Sequence, residues 1–308
     1  MGKWDGKTVA VLYGGRSSER EVSLKTGAAI ADALRQKGHA VALIDVDVDA
    51  PARLRECGAA AAFVALHGRW GEDGCVQGLL ESMAIPYTGS GVLASAVGMD
   101  KVLCKLIFKN LGLAVTDYRV FAPERAANIH GADVPFSLPV VVKPACEGSS
   151  VGVTLVKDAS QLGAACREAA RWKGDVIVER YVKGKEVQVA VLDGKALGVI
   201  EIVPANEFYD YAAKYTAGTT QYFYPARISD GEQKKLMAEA EKAHHGLGCA
   251  GVTRTDFILA PDGTAYILEV NTLPGMTATS LVPKIAAGLG IAFPELCDRL
   301  LEGAALKG

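Results

Sequence analysis

The chain predicts a mixed fold, α/β and α+β: an N-terminal domain on a parallel sheet, then a two-lobed part built on antiparallel strands. Three observations carry this. Over residues 1–90 short apolar runs alternate with helical stretches, the pattern of a parallel sheet. Beyond about residue 90 that alternation fails, and neighbouring strand candidates separated by turn signals point to α+β. The 308 residues are ample for more than one domain, with a second break near Tyr181–Gly184. The expected domains are therefore 1–90, 91–182 and 183–308.

Thr8–Tyr13 (TVAVLY) is a continuous apolar run closed by Gly14-Gly15, as buried parallel strands are. A helix follows through Ile30, Ala33 and Leu34 and stops at Lys37-Gly38, a basic last turn with a Gly beyond it. Ala40–Val46 and Ala61–Leu66 read as the next strands, with a short helix at Pro51–Cys57. Ligands collect at the carboxyl ends of such strands, which singles out Gly14–Ser18 and His67–Gly71. A helix near Asp100–Leu111 then precedes strands at Tyr118–Phe121, Leu138–Lys143 and Val151–Val156, a helix at Ala159–Trp172 and a strand at Val176–Tyr181. Strands at Glu186–Leu192, Ala196–Val203 and Gln221–Tyr224, a helix at Asp230–His245, two strands and two closing helices complete the chain.

Composition narrows the partners. Hydrophobic residues at 50% and charged residues at 22% exclude a disordered chain. Lys and Arg (33) against Asp and Glu (35) leave a net charge of −2, so no basic excess exists to neutralise nucleic acid. Seven scattered cysteines without a C-x-x-C pair read as small buried hydrophobes in a reducing compartment. The opening MGKWDGKTVAVLYGG lacks a signal-type apolar region, and no apolar run is long enough to span a membrane. A cytoplasmic protein is expected.

The strongest local signal is GVTRTDFILAPDGTAYILEVNTLPG, residues 251–275. Two alternating strands flank Pro261-Asp262-Gly263-Thr264, and Asp-Gly is a hairpin turn. A two- or four-residue loop sets Asp256 opposite Glu269 and Arg254 opposite Asn271, whereas a three-residue loop shifts the register by one. In the first register those four side chains share one face, with Thr255, Phe257, Leu259, Leu268 and Val270 on the other. Carboxylates opposite each other repel, and an interposed hard cation such as Mg²⁺ removes that penalty. A solvated polar face, with Arg254 pairing a carboxylate, is the other reading, and the hairpin alone leaves both open.

Lys143 ends a strand and precedes Glu147-Gly148-Ser149-Ser150-Val151-Gly152, small residues whose N–H groups can wrap an anion. A plain turn is the alternative, and Lys101 by itself reads equally as a surface helix lysine. Ser280-Leu281 opens a helix, as an ordinary N-cap or as a cradle for a carboxylate. His67 reads as a loop rather than a core histidine. His244 and His245 read as charges offsetting a helix dipole. Gly14-Gly15 lacks the G-x-G-x-x-G spacing of a dinucleotide fingerprint, which weighs against a nicotinamide oxidoreductase.

In order, VLYGGRSSEREVSL, ALHGRWGEDG, PYTGSGVLASAVGMDK, VVKPACEGSSVGV, FYDYAAKY, TQYFYPA, TRTDFIL and LEVNTLPGMTATSLVPK resemble the D-alanine–D-alanine ligases of the ATP-grasp superfamily, from about residue 8 to 284. The resemblance implies a preATP-grasp domain followed by a two-lobed ATP-grasp fold. It implies ligation of two D-alanines to D-alanyl-D-alanine, with ATP going to ADP and phosphate, for peptidoglycan precursors. By motif position Lys101 and Lys143 contact the α- and β-phosphates, and Lys214 the γ-phosphate. The loop carrying Glu147, Ser149 and Ser150 covers the phosphates. Glu179, Arg180 and Val182 flank adenine, and Glu186 the ribose. Asp256, Glu269 and Asn271 match the ligands of two Mg²⁺ ions, with Mn²⁺ able to replace them.

Glu19, with His67 nearby, matches the holder of the first D-alanine's ammonium group, and Ser280 and Leu281 the site of the second D-alanine's carboxylate. Glu19, Ser149 and Tyr215 match a hydrogen-bonded triad, while Arg254 and the Gly275 N–H match an oxyanion site. A homodimer is also implied. Two departures are visible: Cys146 stands where many relatives carry Arg, and Arg180 where Lys is common. Relatives that make D-alanyl-D-lactate carry Phe at the position of Tyr215, so the dipeptide is expected here. A non-catalytic nucleotide-binding regulator would be expected to lose some of Lys143, Lys214, Arg254, Asp256, Glu269 or Asn271, and all are present.

Overall fold

The computed structural model describes residues 2–126, 128, 129, 131–148, 151–172, 174–204, 220–277 and 280–308. Ser149, Ser150, Lys214 and Tyr215, and with them the expected triad and γ-phosphate lysine, lie outside the described residues.

β1 (Thr8–Tyr13), β2 (Ala40–Asp45) and β3 (Ala61–Val64) form a parallel sheet in the order β2-β1-β3. Val9 to Leu12 have no exposed surface, which is why β1 reads as one apolar run rather than an alternation. α1 (Arg20–Gln36) buries Ser23, Thr26, Ile30 and Leu34, and stops where Gly38 takes a φ of +93°. α2 (Ala50–Glu56) follows β2. Two helices go unpredicted before residue 100, α3 (Cys75–Ser82) and α4 (Val92–Met99). Each has eight residues and begins at a glycine, Gly74 or Gly91, with no side-chain cap, so neither carries a start signal.

The second sheet is antiparallel, ordered β4-β7-β5-β6, from β4 (Tyr118–Phe121), β5 (Val140–Pro144), β6 (Thr154–Val156) and β7 (Val176–Arg180). α5 (Lys101–Asn110) leads into it, started by Asp100, whose carboxylate accepts from Val102 N and Leu103 N. The one-turn α6 (Pro123–Ala126) follows β4, and α7 (Ala159–Ala169) packs Leu162 and Cys166 against Val140, Val142 and Val178.

The third sheet is antiparallel in the order β10-β9-β8-β11-β12. Its strands are β8 (Lys185–Leu192), β9 (Lys195–Pro204), β10 (Thr220–Phe223), β11 (Val252–Leu259) and β12 (Ala265–Asn271). α8 (Asp230–Gly246) covers one face, and α5 joins it there, Phe108 meeting Leu236, Val189 and Phe257. On the opposite face Ala190, Ile200 and Ile202 meet α9 (Leu281–Gly288) and α10 (Phe293–Glu302), in one core with Val9, Ile30 and Leu34 of the first domain. The chain ends are clasped there: Trp4 Nε1 donates to Leu301 O at 2.8 Å.

The β11–β12 hairpin corrects one expectation. Its loop has three residues: Gly263 N donates to Ala260 O, Ala260 N to Thr264 O, and Gly263 takes a φ of +80°. Near the turn Leu259 pairs with Ala265 and Phe257 with Ile267, the shifted register. A bulge at Leu268 then restores the pairing of Asp256 with Glu269 and of Arg254 with Asn271. Leu268, expected on the apolar face, instead lines the same cavity as Ile258 and Glu269.

His244 corrects another. It is 2% exposed and its Nδ1 lies 2.8 Å from Thr253 Oγ1. Burial pushes its pKa down to about 4, so at neutral pH it carries no charge to offset the α8 dipole. All seven cysteines are unpaired, but only Cys104, Cys166 and Cys297 are buried; Cys75 is exposed.

Candidate active site

A cavity of about 450 Å³ lies between the second and third sheets. Val141, Lys143 and Glu179 wall it from one side, and Glu186, Asp256 and Glu269 from the other. Lys101, Glu147, Arg180 and Val182 also line it. All the ATP-site residues expected among the described positions thus converge here, except Asn271, which lines the neighbouring cavity.

The floor of this cavity is a buried charge chain. Glu179 Oε1 accepts from Lys143 Nζ at 2.6 Å, and Oε2 lies 2.7 Å from Lys105 Nζ and accepts from Thr116 Oγ1 at 3.0 Å. Burial alone would raise the Glu179 carboxyl, but the Lys143 and Lys105 ammonium groups outweigh it and hold the group well below the usual carboxylate range. Lys101 Nζ donates to Glu147 O at 2.6 Å and lies 3.3 Å from Glu269 Oε2. Burial would lower this ammonium, yet the Glu269 charge holds it above its ordinary value. A third pair lines the far wall: Glu201, 3% exposed, accepts from Arg227 N at 3.1 Å and Nε at 2.8 Å.

At the hairpin, Arg254 chelates Asp256, Nε to Oδ1 at 2.8 Å and Nη2 to Oδ2 at 3.0 Å. Among the described residues no group of three His, Cys, Asp or Glu side chains is gathered for a metal. The donor set on offer is two carboxylates in direct register plus the Asn271 amide on the same face. With Arg254 and Lys101 as their present counter-charges, this set fits a hard oxygen-seeking cation that completes its shell with phosphate oxygens and water.

A second cavity, of about 180 Å³, adjoins the first through Glu269. Glu19, His67, Arg254 and Asn271 line it, and so do Gly275, Ser280 and Leu281. A Cβ at Gly68, where φ is +68°, would come within 2.8 Å of Glu19 Oε2, so that loop needs glycine to approach this carboxylate; one at Gly148 would come within 3.2 Å, a tight contact. His67 lies in its loop but is only 6% exposed, its Nε2 3.1 Å from Thr26 Oγ1 and its Nδ1 3.4 Å from Glu72 Oε1, so it is as buried as a core histidine. Ser280 occupies the N-cap position of α9, yet its hydroxyl makes no cap bond; it accepts from Thr277 N at 3.0 Å. The first N–H groups of α9 are thus left uncapped by it toward the cavity.

Sequence reasoning missed Lys105, Thr116, Glu201, Arg227 and Gln188. Lys105 stands one helical turn after Lys101, and Glu201 is the only charge in the strand stretch GVIEIVP, both usable signals.

A cavity clasped between two antiparallel lobes, opening past an acidic hairpin onto a smaller polar cavity beside a parallel-sheet domain, defines an ATP-grasp ligase. Family models for the D-ala D-ala ligase N-terminus match residues 8–51 and 48–90, and one for the D-ala D-ala ligase C-terminus matches 107–302. A D-alanine–D-alanine ligase of Anaeromyxobacter sp. (strain Fw109-5) is 75% identical over 307 residues, the whole of both chains. That of Geotalea uraniireducens is 53% identical, covering 98% of this chain and 96% of the relative. The crystal structure of the Bacillus anthracis D-alanine–D-alanine ligase complexed with ATP superposes with a TM-score of 0.83 at 34% identity, covering 96% of each chain. The chain belongs to the D-alanine–D-alanine ligase family.

Proposed function

We propose that this chain joins two D-alanines into D-alanyl-D-alanine, converting ATP to ADP and phosphate, as a step in making peptidoglycan precursors. The observation that carries it is the meeting of the two cavities at Glu269, which supports a triphosphate bound in one and an amino acid in the other approaching each other at a single carboxylate. ATP lies in the larger cavity, with adenine against the stretch Glu179–Val182, the ribose toward Glu186, and the phosphates toward Lys143 and Lys101 under the Glu147 loop. Glu179 acts as the counter-ion that presents Lys143. Asp256, Glu269 and Asn271 hold Mg²⁺, or Mn²⁺, which when bound neutralises the triphosphate.

The first D-alanine places its ammonium group at Glu19, near His67, and its carboxylate attacks the γ-phosphorus, giving an acyl phosphate and ADP. The second D-alanine, whose carboxylate lies at Ser280 and Leu281, gives up one ammonium proton to water. Its free amine attacks the acyl carbon, the bond from that carbon to the phosphate oxygen breaks, and phosphate leaves with the proton the nitrogen then sheds. Arg254 and the Gly275 N–H face the oxyanion of that step. Lys214, Ser149, Ser150 and Tyr215 complete the site by motif alone: the first at the γ-phosphate, the others in the covering loop and triad.

The domains are read as 1–90, 91–182 and 183–308, a division supported by the grouping of the strands into three sheets, although α4 and α5 pack with the third. Among the described residues no helix is long and apolar enough to cross a membrane. Unpaired cysteines and ATP as substrate favour a cytoplasmic site of action, and the family resemblance a homodimer.

The test is phosphate release with product mass analysis in ATP, Mg²⁺ and D-alanine, with L-alanine and D-lactate as controls. D-alanyl-D-alanine should form from the D-isomer alone. Folded protein that binds ATP yet releases no phosphate would overturn the reading.

A further inference from the structure

Among the residues of the smaller cavity that the motifs leave unassigned is Gln188. Among the described residues, only two side-chain atoms that are buried without a hydrogen-bond partner belong to residues lining it: Gln188 Oε1 and Asn271 Nδ2. Gln188 is 2% exposed. It sits in the middle of β8, opposite Asp256 on β11 and Ile200 on β9. Its side chain therefore leaves the sheet on the face of Asp256, while Val187 and Val189 fill the core beneath. A buried carboxamide oxygen without a donor is unfavourable in the free protein, and an apolar side chain would pack there without that penalty. Such an oxygen is satisfied when a donor arrives with the ligand.

The other polar groups of the cavity sort by charge. Arg254 and the start of α9 suit anions, and Glu19 suits the ammonium group of the first amino acid. Of the cavity's other carboxylates, Glu72 lies 3.4 Å from His67 Nδ1 and Glu269 3.3 Å from Lys101 Nζ, whereas among the described residues Gln188 Oε1 is an acceptor with no partner. We propose that Gln188 is a specificity-determining residue of the ligation: its side-chain carbonyl accepts a hydrogen bond from the amine of the acceptor D-alanine, whose carboxylate lies against the start of α9. A carboxamide takes up no proton at neutral pH, so Gln188 orients this amine without serving as its base. The inference rests on the dipeptide reaction proposed above.

Gln188→Met keeps the length and removes the oxygen, and Gln188→Leu serves as a second variant. Dipeptide formation is followed against D-alanine and fitted with separate constants for the first and second molecule bound. The constant for the second should rise about tenfold or more, the loss expected for a hydrogen bond to a charged amine. Affinity for a non-hydrolysable ATP analogue should be unchanged, and the thermal midpoint unchanged or higher, because an unsatisfied acceptor has gone. An unchanged second constant overturns the proposal, as does a lower midpoint with all constants worsening in both variants. Wild-type protein run alongside separates the two levels: no dipeptide from wild type defeats the reaction itself, whereas dipeptide with an unmoved second constant defeats only the role of Gln188.

Discussion

Glu179 shows how much one side chain can be asked to do. Its carboxylate, buried at the cavity floor, bonds Lys143, Lys105 and Thr116, and the two ammonium groups keep it ionised despite that burial. Lys105, with no exposed surface, is the partner furthest from any ligand role. Lys105→Met should cost about 3–5 kcal/mol, the usual result of breaking a buried ion pair, read as a fall in the denaturation midpoint. His244 gives a pH-dependent counterpart. The unfolded chain takes a proton there near the ordinary histidine value of 6.5, and the native protein only near 4. Between those values the unfolded state binds more protons, so stability falls as pH drops through that window and is fully present above it. The loss amounts to about 3 kcal/mol, and His244→Gln should flatten that part of a midpoint-against-pH curve. An unaltered slope would mean that His244 is not the titrating group.

Two helices with serine N-caps make opposite use of the same residue. Ser229 forms a capping box at the start of α8, its hydroxyl accepting from Glu232 N and the Glu232 carboxylate from Ser229 N. Ser280 at the start of α9 caps nothing and turns to Thr277. Ser229→Ala should therefore cost about 1 kcal/mol of stability with substrate binding intact. Ser280→Ala should leave the midpoint nearly unmoved while weakening D-alanine binding, and calorimetry beside saturation kinetics separates the two patterns. The sequence could not tell these serines apart, because cap chemistry depends on where the hydroxyl turns. The hairpin teaches the same lesson. Alternation of apolar and polar residues was enough to pair Asp256 with Glu269, but a two- or four-residue turn was the wrong route to it. The real turn shifts the ladder by one and the bulge at Leu268 shifts it back. A straight ladder would have set Leu268 opposite Asp256 and turned Glu269 and Asn271 to the apolar side. Most strands were legible because their apolar runs are long. α3 and α4 were not, being short and uncapped, and the Lys105–Glu179 link joins positions far apart in sequence.

At the scale of the whole molecule, the parallel-sheet domain is not self-contained. α10 packs Leu296, Leu300 and Leu301 into the core that holds Ile30 and Leu34, and Tyr87 bridges to Ala305. Burying three leucines contributes roughly 5–9 kcal/mol, comparable to the entire stability of a domain. Removing residues 293–308 should therefore unfold the first ninety residues as well, seen as rapid proteolysis within 1–90; a protected N-terminal fragment would contradict this. The two cavities are joined as closely as the chain ends are. Glu269 lines both, so on the proposed reading it is the triphosphate end of the larger cavity, not its adenine end, that meets the smaller one. A compound joining a purine-like arm to a D-amino-acid-like arm through a linker that spans the triphosphate stretch would fill both at once. Its second arm would bind as an intramolecular event, so such a tethered inhibitor gains far more than the sum of its halves.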